Sequence, residues 1–450
     1  MSKYTPIIGL EVHVELKTQS KMFCGCSAEY FGKEPNSHTC PVCLGLPGAL
    51  PVPNKTAIDW CIKISHALNC QINEYSKFDR KNYFYPDLSK GYQISQYDLP
   101  FGYDGYMDLS SGKRVRIRRV HMEEDTGKLS HKDVAGEKAS LIDFNRSGVP
   151  LVEIVTEADF RNATDVKEYL QKLRQIVRYL DVANADMEKG EMRLEPNISL
   201  LVTTSVDDAQ GIIDESLFPK YKVEVKNINS FNFVEKAIAY ELERQEEILE
   251  SGELPAQETR GWNEDKAKTF SQRSKEDAHD YRYFPEPDIP PIVTSQDEIS
   301  RLKDEVPELQ DKKSARFEAE YGLPTADAEI LTRERTLGDY FEEAVAIGVQ
   351  QDVKAKKLAN HIINKKIDYT NVSPADLVKQ VAAENQVATI DPKELDAIAT
   401  EVIAANEKAV TEFKNGKEQV IMFLVGQSMK KIGKKVDVNI VKEALLKQLK

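Results

Sequence analysis

Hydrophobic and polar positions alternate strictly near the N-terminus. In IIGLEVHVEL (7–16), Leu10, Val12, Val14 and Leu16 fall on one side, and Glu11, His13 and Glu15 on the other. A period of two predicts a half-buried strand. The runs RVRIRRV (114–120), LVEIV (151–155), NISLLV (197–202) and YKVEVKN (221–227) predict further strands. In TDVKEYLQKLRQIVRYL the period becomes helical, with Val166, Leu170, Leu173, Val177 and Leu180 on one face and Thr164 as the expected N-cap. A second helix follows Ser230, and Gly252 is placed to end it. IDWCIKISHALNC is also helical in pattern and carries Cys61 and Cys70 as buried thiols. Strand runs with interspersed helices imply an α+β fold whose sheet is mixed but mainly antiparallel.

The proline-dense segment YFPEPDIPPIV (283–293) is expected to be extended, with a domain boundary just after it. From about 296 the pattern is helical and charged, as in RLKDEVPELQDKKSARFEAEYG and TLGDYFEEAVAIG. A turn at NGK (415–417) precedes EQVIMFLVGQSMKKIGKKV and a last helix, NIVKEALLKQLK.

A chain of 450 residues has room for two to four domains. Its net charge of −13 argues against a general basic coat for nucleic acid. RNA binding through a local patch, or by shape, stays open. No apolar run approaches the ~18–20 residues of a membrane span, and the first residues lead straight into a strand pattern. The expectation is a cytoplasmic protein with no membrane partner.

Candidate chemistry begins with CGC (24–26) and CPVC (40–43). Two short chelating turns bring four thiolates together. In a reducing compartment Cys24, Cys26, Cys40 and Cys43 suggest a closed, structural tetrahedral Zn²⁺ site rather than disulfides; four incidental thiols are the plain alternative. On the first strand, Glu11 and His13 lie two residues apart on one face, where either solvent or a shared ion would suit them. HMEEDTGK (121–128) adds Glu123, Glu124 and Asp125, and Glu153 sits inside the apolar LVEIV. A lone carboxylate there is costly to bury unless paired or metal-bound. Oxygen-rich ligands suit Mg²⁺, with Mn²⁺ as the alternative because one histidine takes part.

KFDRKNYFYPDLSKGYQISQYDLP (77–100) interleaves Lys77, Arg80, Lys81 and Lys90 with five aromatic residues, a pattern that positions phosphates and stacks on bases. A solvated charged loop would look the same. Lys226, Asn227 and Asn229 end a strand just before a helix, where an anion is readily met, and Tyr281, Arg282 and Tyr283 could contact a ribose or carboxylate; packing and capping would use either set equally well. No Walker A pattern, no GxGxxG and no convincing nucleophile set accompany these segments. If ammonia is used, a partner must liberate it.

Taken in order, GLEVHVELKT (9–18), FCGCSAEYFGKEPNSHTCPVCLGLPGALPVPN (23–54), SKFDRKNYFYPDLSKGYQISQYD (76–98), HMEEDTGK (121–128), KNINSF (226–231) and DYRYFPEPDIPP (280–291) resemble the B-subunit family of the aspartyl/glutamyl-tRNA amidotransferases over nearly the whole chain. The resemblance implies an ATP-dependent kinase and transamidase. It would act on the side-chain carboxylate of Glu-tRNA(Gln) or Asp-tRNA(Asn), with ammonia delivered by an amidase-type A subunit and a small C subunit joining the two. It implies a catalytic cradle (1–295, with the zinc loop at 24–43), a helical domain (296–405) and a small YqeY-like helical tail that contacts tRNA (406–450). It further implies Mg²⁺ held by His13, Glu124 and Glu153 with Glu11 beside them, these four forming the catalytic set. Lys77, Arg80, Lys81, Lys90 and Lys226 are the candidates for phosphate or carboxylate contacts.

The chain departs from the family pattern in two places. MRLEPNIS (192–199) stands where the family reads close to MRCD-x-NIS, so Glu195 replaces Asp and Pro196 follows it. The region 368–405 looks shorter than the family's, although Lys430, Lys431, Lys434 and Lys435 still offer a basic patch in the tail. Two other readings are the related archaeal E subunit, for whose large inserted domain 1–300 leaves no room, and a catalytically silent tRNA-binding scaffold. The retained Glu11, His13, Glu124 and Glu153 speak against the scaffold.

Overall fold

The structure is a computed structural model that describes residues 3–134, 136–202, 213–274, 281–385, 390–433 and 436–449. They form two compact units, Met1–Gln310 and Asp311–Lys450. The first is built on a nine-stranded sheet. Its strands are β1 (Tyr4–Glu15), β2 (Gln71–Ile72), β3 (Gly102–Asp108), β4 (Arg114–Glu124), β5 (Pro150–Thr156), β6 (Met192–Val202), β7 (Val223–Lys226), β8 (Glu258–Asn263) and β9 (Lys268–Ser274). Their order is β9-β8-β7-β6-β1-β5-β4-β3-β2. All neighbours are antiparallel except β7 and β8. The expected mixed, mainly antiparallel sheet is therefore present, with the alternating N-terminal strand at its centre.

Alternation divides the sheet into an apolar and a polar face. Leu10, Val12 and Val14 of β1 join Val152 and Ile154 of β5, Val120 and Met122 of β4, and Met192 and Leu194 of β6 in one buried cluster. Helices α1 (Lys55–Ala67), α2 (Ala163–Tyr179) and α3 (Phe231–Glu250) supply Ile62, Leu170, Leu173, Val234 and Ile238 to it. Ser230 caps α3, accepting from Phe233 N at 3.2 Å. Helix α2 is capped by Asn162, which accepts from Asp165 N at 2.7 Å. The expected cap, Thr164, lies inside the first turn because Ala163 is already helical.

Over the polar face lies a small three-stranded sheet made of Asp79–Asn82, Tyr92–Ser95 and Phe284–Pro285. The proline-dense segment is extended, as expected, but the boundary does not fall at 295. Helix α4 (Gln296–Asp304) packs on α1 and puts Leu302 into the first core, so the first unit closes at Gln310.

The described residues of the second unit hold only helices: α5 (Gln310–Tyr321), α6 (Thr325–Leu331), α7 (Arg335–Val349), α8 (Ala355–Asn364), α9 (Pro374–Asn385), α10 (Pro392–Ala405), α11 (Glu407–Lys414), α12 (Ile421–Ile432) and α13 (Val438–Leu449), apart from a short 3-10 turn at Glu418–Val420. Phe317, Leu331, Phe341, Leu358 and Val378 form one apolar cluster, and Leu395, Val402, Leu424, Val441 and Leu445 another. Because α10 packs on α12 and α13, the tail cluster begins before 406. Lys431 pairs with Glu401, and Lys430 is exposed. Lys434 and Lys435 lie outside the described residues, as does Asp280.

The two candidate caps of α2 separate cleanly. Asn162→Ala should weaken the helix by about 1 kcal/mol, seen as faster hydrogen exchange of the first-turn amides, whereas Thr164→Ala should leave exchange unchanged.

Candidate functional site

The polar face of the sheet gathers charged side chains by register. His13 of β1 lies opposite Glu153 of β5 and Arg193 of β6, Glu153 lies opposite His121 of β4, and Glu11 lies opposite Glu195. Glu123 follows His121 by two residues and so shares its face. The ligand atoms of His13, Glu123 and Glu153 all lie within 4.8 Å of one another. His13 Nε2 is 3.6 Å from Glu153 and 3.9 Å from Glu123; His121 Nε2 is 3.1 Å from Glu153 and 3.5 Å from Glu123. Lys81 Nζ approaches Glu123 to 3.5 Å from the overlying small sheet. Ser95 Oγ and Gln93 Nε2 donate to the same carboxylate at 2.7 and 3.0 Å.

This group balances its charge internally. Burial opposes ionisation of Glu153, yet His121 and His13 hold its carboxyl well below the usual range. Burial likewise opposes charge on His13, but Glu153, then Glu195 and Glu123, lift the imidazole to about 9. His121 is raised in the same way. For Glu123, Lys81 outweighs burial and pulls the carboxyl down. The Nδ1 atoms of His13 and His121 are buried with no hydrogen-bond partner.

One register along, Glu11, Glu195 and Glu224 form a second group of the same compactness. Lys226 Nζ reaches Glu195 at 2.7 Å and Glu224 at 3.4 Å, and Asn197 Nδ2 donates to Glu11 at 3.1 Å. Burial, then the like charges of Glu153, Glu195 and Glu224, raise the Glu11 carboxyl. A cavity of about 390 Å³ opens beside Glu11 and is walled by Gly9, Asn197, Arg118, Lys220 and Lys222. Its size is that of a small-molecule site. At the other end of β1, Asp125 is held by Arg193 at 2.8 Å, and Tyr30 Oη donates to Glu15 at 2.9 Å.

The four sulfurs of Cys24, Cys26, Cys40 and Cys43 also lie within 4.8 Å of one another. The Cys40–Cys43 sulfur separation, 3.8 Å, matches the edge of a tetrahedron with arms of about 2.3 Å. Cys40 N donates to Cys43 Sγ at 3.1 Å. Lys21 is fully buried behind this loop, donating to His38 O at 2.8 Å, and its charge helps hold the Cys43 thiol down after the larger effect of Cys24. The cluster is thus one that could hold a metal ion. Gly45, at φ +67°, lets Lys90 pass: a Cβ there would stand 2.5 Å from Lys90 Cγ.

The sequence-predicted residues therefore divide. His13 and Glu153 meet, with Glu11 adjacent. Glu124 does not join them. It shares strand parity with the core residues Val120 and Met122, and at the strand end its Oε1 pairs with Lys90 at 2.5 Å and accepts from Ile94 N at 3.0 Å. Glu123 takes the place expected of Glu124. Lys81 and Lys226 face the two acidic groups. Lys77 is engaged by Asp79 and Asp98, both at 2.6 Å, and Arg80 by Glu286 at 2.7 Å. Both cations are thus engaged by carboxylates away from the two acidic groups. His121 and Arg119 are absent from the sequence-derived set; continuing the alternation through HMEE would have put 119, 121 and 123 on one face.

Two family models match the chain: the GatB/GatE catalytic domain over residues 6–300, and the GatB domain over 339–449. The chain belongs to the GatB/GatE family. Among curated proteins, the B subunit of the aspartyl/glutamyl-tRNA(Asn/Gln) amidotransferase from Thermodesulfovibrio yellowstonii is 44% identical, with all of both chains covered. The proteins of the same name from Carboxydothermus hydrogenoformans and Thermomicrobium roseum are each 45% identical, covering 96% and 94% of this chain and 95% and 94% of their own. The alignment to the first spans 492 positions against 450 residues here, so this GatB/GatE chain lacks segments its relative carries. The catalytic-domain match stops at 300, within α4 and short of the close of the first unit.

The placement of Glu124 has a measurable consequence. Glu124→Gln leaves the half-buried Lys90 without its charge partner and should lower stability by roughly 1–3 kcal/mol, read as an earlier thermal transition of the first unit; Lys90→Met made with it should recover most of that loss.

Proposed function

We propose that this chain is the tRNA-dependent kinase and transamidase subunit of an amidotransferase. It activates the side-chain carboxylate of Glu-tRNA(Gln) or Asp-tRNA(Asn) with ATP and converts it to the amide. The observation that carries the reading is the buried His13–Glu123–Glu153 constellation in a chain of this family. Its donor set, two carboxylates and an imidazole with small mutual spacing, fits an octahedral divalent ion. We assign Mg²⁺ to it, with Glu123 in place of Glu124 and with Glu11 adjacent. Bound there, the ion would supply the charge neutralisation that lets ATP approach a carboxylate.

The chain's own residues do the rest. The substrate carboxylate attacks the γ-phosphorus, ADP departs, and an acyl phosphate is left. Ammonia then attacks the acyl carbon and expels phosphate. Lys81 and Lys226 place positive charge beside the two acidic groups, where phosphoryl transfer needs fixed electrostatics more than covalent help. Gln93, Ser95 and the small sheet above Glu123 shield the cluster from water, which would otherwise hydrolyse the acyl phosphate. ATP takes the cavity beside Glu11, lined by Lys220 and Lys222.

Ammonia is supplied by an amidase-type A subunit, and a small C subunit joins the two. Aminoacyl-tRNA places the complex in the cytoplasm, and no described helix is long and apolar enough to cross a membrane. The four cysteines hold a structural Zn²⁺, with Lys21 offsetting part of the negative charge of four thiolates.

The reconstituted complex should form Gln-tRNA(Gln) or Asn-tRNA(Asn) with tRNA-dependent ATP hydrolysis. Glu123→Gln should lower both by ~10²–10³-fold, and Mn²⁺ soaked into crystals should give anomalous density among His13, Glu123 and Glu153. Full activity of that variant, or density elsewhere, refutes the assignment. Elemental analysis should find about one zinc per chain, released when Cys40 is changed to Ser.

A further inference from the structure

Strand β4 carries four arginines, and three are neutralised. Arg114 makes a two-bond pair with Asp108 at 2.7 and 2.8 Å. Arg116 does the same with Asp159 at 3.0 and 2.7 Å. Arg118 binds Glu157 at 2.9 and 2.5 Å and Glu215 at 2.7 Å. Arg119 is the exception. Its Nε is buried and has no hydrogen-bond partner, and among the described residues no carboxylate pairs with it. A desolvated guanidinium N–H without an acceptor is costly and calls for one.

Its position says where that acceptor comes from. Arg119 lies opposite Val155 on β5, one register from the Glu153–His121 pair. Two residues along a strand advance about 6.5–7 Å, which a side chain of this length spans. The charges of Lys81, Glu123, Glu153 and, more weakly, Arg119 act on the phenol of Tyr283, which adjoins the small sheet. Tyr97 stacks on Tyr283 with ring centroids 4.4 Å apart. Arg119 therefore lies on the same face of the sheet as the acidic cluster, two residues along β4 from His121.

We infer that Arg119 is the binding group for the side-chain carboxylate of the misacylated residue. The inference rests on the function proposed above and adds a residue to it. Two anions must be brought together in this site. The His13–Glu123–Glu153 group serves one of them, and a planar guanidinium one register away suits the other. A carboxylate matches the two-bond geometry that the neighbouring arginines already display on this strand. The phosphates of ATP are the competing ligand of the same chemistry.

Two measurements decide it. Phenylglyoxal labelling of the chain, mapped by mass spectrometry, should modify Arg119 ahead of Arg114, Arg116 and Arg118. Glutarate, which presents the terminus of a glutamate side chain, should protect Arg119 more strongly than ATP at equal concentration. In the assembled complex, Arg119→Gln should raise KM for misacylated tRNA by about 10–100-fold, the loss of one charged hydrogen-bonded contact, with KM for ATP changed less than twofold. Arg119→Lys should recover only part. Protection by ATP alone, or a KM increase confined to ATP, assigns the residue to phosphate and overturns the inference, as does an unchanged KM for both. A complex without transamidase activity refutes the proposed function, while the labelling result still decides whether Arg119 binds a carboxylate.

Discussion

Like charges crowded onto one face of a sheet are the constraint that the rest of the first unit answers. Glu11, Glu15, Glu123, Glu153 and Glu195 all project from the polar side of adjacent strands, and a buried carboxylate is tolerated only when something positive stands beside it. The compensation is local and specific. Two imidazoles take the centre, Lys81 descends from the small sheet, Lys226 comes from β7, and Arg193 holds the end near Asp125. A one-residue slip of β1 would move Glu11, His13 and Glu15 to the apolar face and drive Val12 and Val14 into the polar layer. The hydrophobic cluster and the charge array therefore specify the same register.

That array also explains why the cysteine loop sits where it does. Tyr30, between the two pairs of cysteines, donates to Glu15 at the end of β1. Lys90 passes Gly45 of the loop and ends on Glu124 of β4. Ser89 and Ser147 both donate to Cys43 O, at 2.9 and 3.0 Å. The loop has no regular secondary structure to fix it beyond an isolated bridge at Ser20–Ser27, so a metal cross-link at its base would set the positions of Tyr30 and of the turn that Lys90 crosses. Glu124, expected from the sequence to be a ligand, belongs to this buttress. It joins the loop to the sheet and leaves the next residue back, Glu123, to face the site.

The alternating runs disclosed β1, β4, β5, β6 and β7 and the polar face of the central strand, because burial of one side imposes a period that composition alone does not hide. Residue pairing was not legible. RVRIRRV shows arginines that look equivalent, and only long-range partners such as Asp159 and Glu215 separate Arg116 and Arg118 from Arg119. Glu123 and Glu124 differ by parity alone, and parity along β4 is disturbed by a register shift between Val155 and Thr156 of its partner strand. The boundary expected at 295 failed for a related reason. Helix α4 carries a charged helical pattern like those that follow it, and its membership in the first core depends on Leu302 meeting α1 across nearly the whole domain.

The departure at MRLEPNIS can be understood in the same terms. Pro196 brings no N–H to a strand with neighbours on both sides, an unusual place for proline. The ladder to β7 is correspondingly short: Asn197 faces Glu224 and Ile198 faces Val223, then the pairing resumes as a single bridge between Leu194 and Ile228. That bridge is displaced by one residue from the ladder's register, and Asn227 takes up the extra residue at φ +63°, as in a β-bulge. Lys226 stands immediately before the bulge and opposite Glu195, which its ammonium meets at 2.7 Å. The longer side chain of Glu195 and the interrupted ladder therefore act together. The proline removes a backbone bond that would have tied β6 flat against β7, the bulge absorbs the mismatch, and the carboxylate keeps a cation at the corner where Glu11 would otherwise face Glu195 and Glu224 without one.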